Sequence, residues 1–139
     1  MKNIIKKLNI GDLVKLGGFV PRSTALNEIL KSNLAVHIGE NLNYPFIAFK
    51  VWDYLSCRKK IIYLGRQDSY TSKFLQKYDL GIILPINNIL KGKENLRDLL
   101  NSIKTNNYNY YLNEEMLKKF SWDKRVEKFI NKIVKIYQT

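Results

Sequence analysis

The sequence predicts an α/β domain with a parallel sheet held between layers of helices. Two patterns carry that expectation. The runs "LAVHI" (34–38), "KIIYLG" (60–65) and "LGIILPI" (80–86) are short and almost continuously apolar, as strands are when both faces of their sheet are covered. Between them lie segments with apolar residues at helical spacing, so strands and helices alternate along the chain. The composition fits: of 139 residues, 45% are hydrophobic and 26% charged, which suits one core and a single domain spanning 1–139.

The first segment, "NIIKKLNI" (3–10), sets Ile4, Ile5 and Leu8 on one helical face and ends at Gly11-Asp12. "LVKLGGFV" (13–20) reads as a short strand interrupted by Gly17-Gly18. "PRSTALNEILKSN" (21–33) reads as a helix capped by Ser23 or Thr24, with Ala25, Leu26, Ile29 and Leu30 on one side. After the strand at 34–38, "GENLNYP" (39–45) is a polar loop and "FIAFKVWDYLSC" (46–57) a helix. The strand at 60–65 leads into a helix at 68–79, opened by Asp68 or Ser69. The strand at 80–86 closes at Pro85, and "KENLRDLLNSIK" (93–104) is a helix. The stretch "TNNYNYYLN" (105–113) is a polar connection. Beyond it a short helix breaks at Phe120-Ser121-Trp122, and a long amphipathic helix occupies 121–139. Its stripe of Val126, Phe129, Ile130, Ile133, Val134 and Tyr137 is expected to pack on the domain. Four strands are visible in this pattern, fewer than the six or so of a complete dinucleotide-binding fold.

Charge narrows the partners. The formal net charge of +12 suits an anionic partner such as nucleic acid, anionic lipid or a phosphorylated ligand. The lysines, however, are spread along helical faces rather than bunched, and no basic strand face interleaved with aromatics is visible. Nucleic acid is therefore not the expected partner. No apolar run reaches the roughly 20 residues of a membrane span, and "MKNIIKKLNIGD" lacks the apolar core of a secretory signal. One cysteine, Cys57, allows no internal disulfide. These features point to the cytoplasm. The lysine-rich last helix also suits the inner surface of a membrane.

Ligands of open parallel sheets bind beyond the carboxyl ends of the strands, beside helix N-termini. The segments "GGFVPR", "HIGENLNYP", "LGRQDS" and "PINN" occupy that edge. None contains a dinucleotide or P-loop glycine fingerprint. His37, the single histidine, suits strand-end packing better than base catalysis, because no motif supplies it with a partner. One His and one Cys do not make a zinc site, so no metal or other cofactor is expected. Cys57, beside Arg58, Lys59 and Lys60, is more simply a small residue ending a helix than a reactive thiol. Lys50 and Asp53 are three apart and share a helical face. They form either an exposed ion pair or a ligand-binding pair, with Asp53 accepting from vicinal hydroxyls and Lys50 neutralising phosphate. The residues alone leave both readings open.

Along 12–136, "GGFVPRSTALNEILKSNLAVHI", "FKVWDYLSCRKKIIYLG", "LGIILPINN" and "FSWDKRVEKFINKIV" resemble, in that order, the C-terminal half of GT-B glycosyltransferases of the group-1 or family-4 type. Those proteins carry segments like "GxVPRxxLxxLLxxADL", "SKxFEYLAxGKPII", "GxGxxVxxND" and "FSWxxxxxxF". The resemblance implies a three-layer Rossmann-like parallel sheet flanked by helices, one half of a GT-B fold without its first strand or two. It implies binding of a nucleotide-diphosphate sugar for transfer to a glycan or lipid-linked acceptor. Asp53 stands where the family's acid holds the ribose hydroxyls, and Lys50 where its lysine lies near the diphosphate or sugar. Phe19, Val20 and Pro21 match the loop that touches the base. The loop entering the acid-bearing helix, "NLNYPF" (41–46) with Tyr44, Pro45 and Phe46, matches the approach to sugar and phosphates, and Glu40 just before it is expected in the same donor site.

The chain departs from the pattern in places. Asp53 is one methylene shorter than the usual Glu. Pro45 occupies the position eight before it, where many relatives carry a second Glu, and "SCRKK" replaces "AxGKP". No residue stands out as a general base. The acceptor-binding half, supplied by a missing N-terminal domain or a partner chain, is expected to complete the enzyme, with the last helix crossing toward it. Alternatively, the chain is a basic α/β module that binds nucleic acid or protein without catalysis.

Overall fold

A computed structural model describes residues 2–39, 45–105, 107–108, 110, 112 and 114–137, with backbone only at 89, 91 and 135–137. Three parallel strands, β1 (Leu34–Ile38), β2 (Lys60–Gly65) and β3 (Gly81–Pro85), lie in the order β1-β2-β3. The register pairs Ala35 with Ile61 and Ile61 with Gly81, and continues to Gly65 beside Pro85. Helices α3 (Phe49–Ser56) and α4 (Tyr70–Lys77) are the two crossovers and cover one face. Helix α5 (Lys93–Lys104) follows β3 and covers the other. The chain is therefore a Rossmann-like α/β domain, a parallel sheet between helical layers.

The alternation of side chains along each strand divides the core in two. Ala35, Ile61 and Tyr63 point toward α3 and α4, where Val51, Leu55, Phe74 and Leu75 meet them. Ile62 and Leu84 point the other way, onto Leu99 of α5. The stretch 105–113 does more than connect. Tyr108 packs with the α5 side and Tyr110 and Leu112 with the opposite side, so this segment joins the two layers and buries apolar surface among its asparagines. Helix α6 (Glu114–Lys119) follows, and Phe120 then enters a cluster of rings from Trp52, Phe74 and Tyr78, with centroids 5.2 to 5.6 Å away. Ser121 caps α7 (Trp122–Tyr137) by accepting from the Lys124 N–H at 3.3 Å.

Three expectations change. Residues 13–20 do not form a strand: Gly11–Leu13 is a 3-10 turn and the rest is irregular. Extended apolar residues become a strand only beside a neighbour, and here Leu13 and Phe19 point into solvent while Gly18 takes φ 67°. The outer edge of β1 therefore has no strand beside it among the described residues, and Val36 and Ile38 are 57% and 68% exposed. Helix α2 (Arg22–Lys31) begins behind Pro21 rather than a Ser23 or Thr24 cap, the arrangement proline's fixed φ favours. The stripe of α7 does not pack on the domain, since Val126, Phe129, Ile130, Ile133 and Val134 are all exposed. The other helix at the start, α1 (Lys2–Lys7), buries none of its residues. Among the described residues no helix is long and apolar enough to cross a membrane.

Candidate functional site

The carboxyl ends of β1 and β2 open onto a cavity of about 300 Å³. Its floor is Tyr63, 1% exposed, whose hydroxyl is 2.8 Å from Ser69 Oγ. A β-carbon at either Gly39 or Gly65 would collide with the Tyr63 ring. Those two glycines let the ring lie across the strand ends, and so shape the cavity floor. Phe46, Phe49 and Tyr70 form the rim, each more than half exposed. His37 lies in the wall, in ring contact with Tyr54 and Tyr63 at 6.5 and 5.7 Å.

Two helices begin here, and their ends differ. Ser69 caps α4 by accepting from the Ser72 N–H at 3.1 Å. Ala48, at the corresponding place on α3, has no side chain to offer. Among the described residues, the first N–H groups of α3 are thus left without a side-chain cap beside the cavity, and they carry the positive end of the helix dipole. Lys50 lines the same cavity. An anion at this edge would meet one ammonium and one uncapped helix end, and a flat ring or sugar would meet three aromatic side chains.

Asp53 lies one turn further along α3. Its ion-pair partner is Arg22 of α2, whose Nη2 donates to Oδ1 at 2.5 Å, and not Lys50. The Asp53 side chain remains 27% exposed, so its carboxylate keeps lone pairs for other donors. Burial, and then the charge of Asp53, raise the pKa of neighbouring Tyr54, whose hydroxyl reaches the Val36 carbonyl at 3.3 Å.

The structure brings Lys50 and Phe46 together at the cavity, with Pro45 next in the chain. Through Arg22 it brings Asp53 against the segment that carries Phe19, Val20 and Pro21, although Phe19 itself is fully exposed. Glu40 and Tyr44 lie outside the described residues. Arg22, Phe49, Tyr63, Ser69 and Tyr70 were not singled out as site residues in the sequence. Arg22, Ser69 and their neighbours do fall in the segments flagged at the strand ends. The segments "LGRQDS" and "PINN" also meet in a separate open recess between 65–68 and 85–88, where Arg66 is committed to Asp68 at 2.7 and 3.0 Å. That pair holds the Asp68 carboxyl below its ordinary pKa. Cys57 is buried at the end of α3, its sulfur 4.0 Å from the Leu26 carbonyl. Among the described residues no group of three His, Cys, Asp or Glu side chains is placed to hold a metal ion.

No family model, curated protein or solved structure matches the chain. The class of the molecule therefore rests on its fold, a Rossmann-like α/β domain, and on the chemistry of this edge.

Proposed function

We propose that this domain binds the nucleoside diphosphate of a nucleotide sugar at the carboxyl edge of its sheet, as the donor-binding part of a glycosyltransferase. What supports the reading most is that Lys50 and the start of α3, uncapped by any described side chain, stand at an aromatic-rimmed cavity, with Asp53 one turn further along the same helix and held by Arg22. In this reading Lys50 and the α3 N–H groups offset the charge that develops on the departing diphosphate. Asp53, steadied by Arg22, accepts from ribose hydroxyls. A further support is local: Arg58, which stands where the resembled motif has its glycine, takes φ 57°, the left-handed conformation that favours glycine. The sugar acceptor, a glycan or lipid-linked molecule, would bind on another domain or chain, so this chain alone is expected to bind nucleotide and to turn over little.

The test is titration of the full chain with uridine, guanosine and adenosine diphosphates at millimolar concentration, followed by amide chemical shifts. The expected result is perturbation confined to Lys50, Asp53 and the ends of β1 and β2, weakened about tenfold or more by Asp53→Asn. No response to any nucleotide at these residues overturns the proposal. The alternative, a basic module for nucleic acid, is favoured only by the +12 charge. It predicts oligonucleotide binding that falls steeply with salt and ignores Asp53→Asn.

A further inference from the structure

The cavity beside Lys50 has a floor of hydroxyls. Tyr63, Ser69 and Thr71 all line it, and none of the three is more than 7% exposed. The Tyr63 and Ser69 hydroxyls carry two protons, and the 2.8 Å bond between them uses one. Ser69 Oγ also accepts from the Ser72 N–H. Among the described residues no acceptor takes the second proton, so it is left to donate to a ligand. The Thr71 hydroxyl, in the first turn of α4, has no hydrogen-bond partner among the described residues. Polar groups buried this deeply are normally satisfied. Two spare donors lining one cavity therefore call for acceptor oxygens inside it.

Size and order select the ligand. At about 300 Å³ the cavity stands at the small end for ligand sites, so it holds one part of a nucleotide sugar and not the whole. The helices beside it follow one another in a row. Helix α2 lies against α3 through Arg22 on Asp53, and the start of α3 shares the cavity with the start of α4. Along that row come Asp53, then Lys50, then the hydroxyl floor. A nucleotide sugar has the same order: ribose, diphosphate, sugar. With ribose at Asp53 and diphosphate at Lys50, the sugar falls on the floor. Its oxygens suit the two spare donors, and the Thr71 lone pairs take a sugar O–H in return. The rings of Phe46, Phe49 and Tyr70 at the rim suit the apolar face of the sugar. Resting on the donor-binding reading, we propose that Tyr63, Ser69 and Thr71 form the pocket for the transferred sugar, a hydroxyl-bearing ring, and that Thr71 takes part in selecting it.

Titration of the full chain, followed by amide chemical shifts, tests this. Uridine diphosphate is compared with its glucose and N-acetylglucosamine conjugates, and guanosine diphosphate with its mannose conjugate. One conjugate is expected to bind about 3–10-fold tighter than its own diphosphate. It is expected to shift the amides of 69–72, which the bare diphosphate leaves in place. Thr71→Val keeps the shape and removes the hydroxyl, and is expected to abolish the gain. Thr71→Ser keeps the hydroxyl and is expected to retain most of it. A diphosphate that binds at Lys50 while no conjugate adds shifts at 69–72 overturns this inference, gives the hydroxyls to water, and leaves the donor-binding reading standing. A gain that survives Thr71→Val overturns it as well. So does an equal loss in Thr71→Ser, which makes the effect one of packing. Binding of no diphosphate at all overturns both readings.

Discussion

Tyr63 shows how one side chain can set the shape of a site. It fills the space that two absent β-carbons leave at Gly39 and Gly65, and its hydroxyl meets the residue that caps α4. Tyr63→Phe is expected to cost about 1 kcal/mol in urea denaturation, with the Ser69 cap intact. Gly39→Ala is expected to cost more and to close the cavity, because the displaced ring must move into it. A second residue-level feature is the left-handed backbone of Asp79, φ 49°, which ends α4 with paired bonds from Leu80 to Leu75 and from Asp79 to Gln76. Asp79→Gly is expected to raise stability by about 0.5–1 kcal/mol, read from the same denaturation curves. In the sequence Gly39 was legible as the start of a loop and Gly65 as the end of a strand. Their service to Tyr63 was not, because it joins positions that only the parallel register makes neighbours.

At the scale of elements, the strands were legible because burial on both faces writes a continuous apolar run. The same kind of run at 13–20 misled, because apolar residues around Gly17-Gly18 look like a strand whether or not a partner stands beside them. Helix α3 starts at Phe49 rather than at 46, since Ala48 is still extended, with ψ 137°. The break at 120–122 was visible, but its purpose was not: Phe120 is the pin that fastens the last two helices to α3 and α4. Phe120→Ala is expected to destabilise the domain by about 2 kcal/mol, less than for a fully buried ring. Hydrogen exchange should then show α6 and α7 opening before the sheet. The sequence also left open whether Lys50 and Asp53 pair with each other. Arg22 decides against it, from 31 residues away, a contact that helical spacing cannot reveal.

For the whole molecule, high pH is the condition to probe. Tyr108 and Tyr110 stack at 6.4 Å, and neither hydroxyl has a hydrogen-bond partner among the described residues. Burial pushes the Tyr108 pKa from its ordinary 10.0 up to about 12. Tyr110 is raised as well, by burial and then by the charges of Tyr108 and Asp79. A folded-state value above the unfolded one means stability that is complete below pH 10 and is lost as pH rises toward 12. Thermal melts between those limits should show that decline, and Tyr108→Phe with Tyr110→Phe should flatten it. At neutral pH the double variant should be as stable as the parent or slightly more so, because it removes two hydroxyls without partners. Composition gave the charge, but not that α7 turns its lysine-bearing side to the domain and its apolar side to solvent.

The strands stand in the sheet in the order in which the chain presents them. During synthesis, β1 leaves the ribosome first, and each later strand finds its neighbour already made. The domain can thus be assembled by accretion at one growing edge, with no strand waiting for a segment still to be translated. Pausing after β2 would leave a complete β-α-β unit rather than a gap in the middle of a sheet.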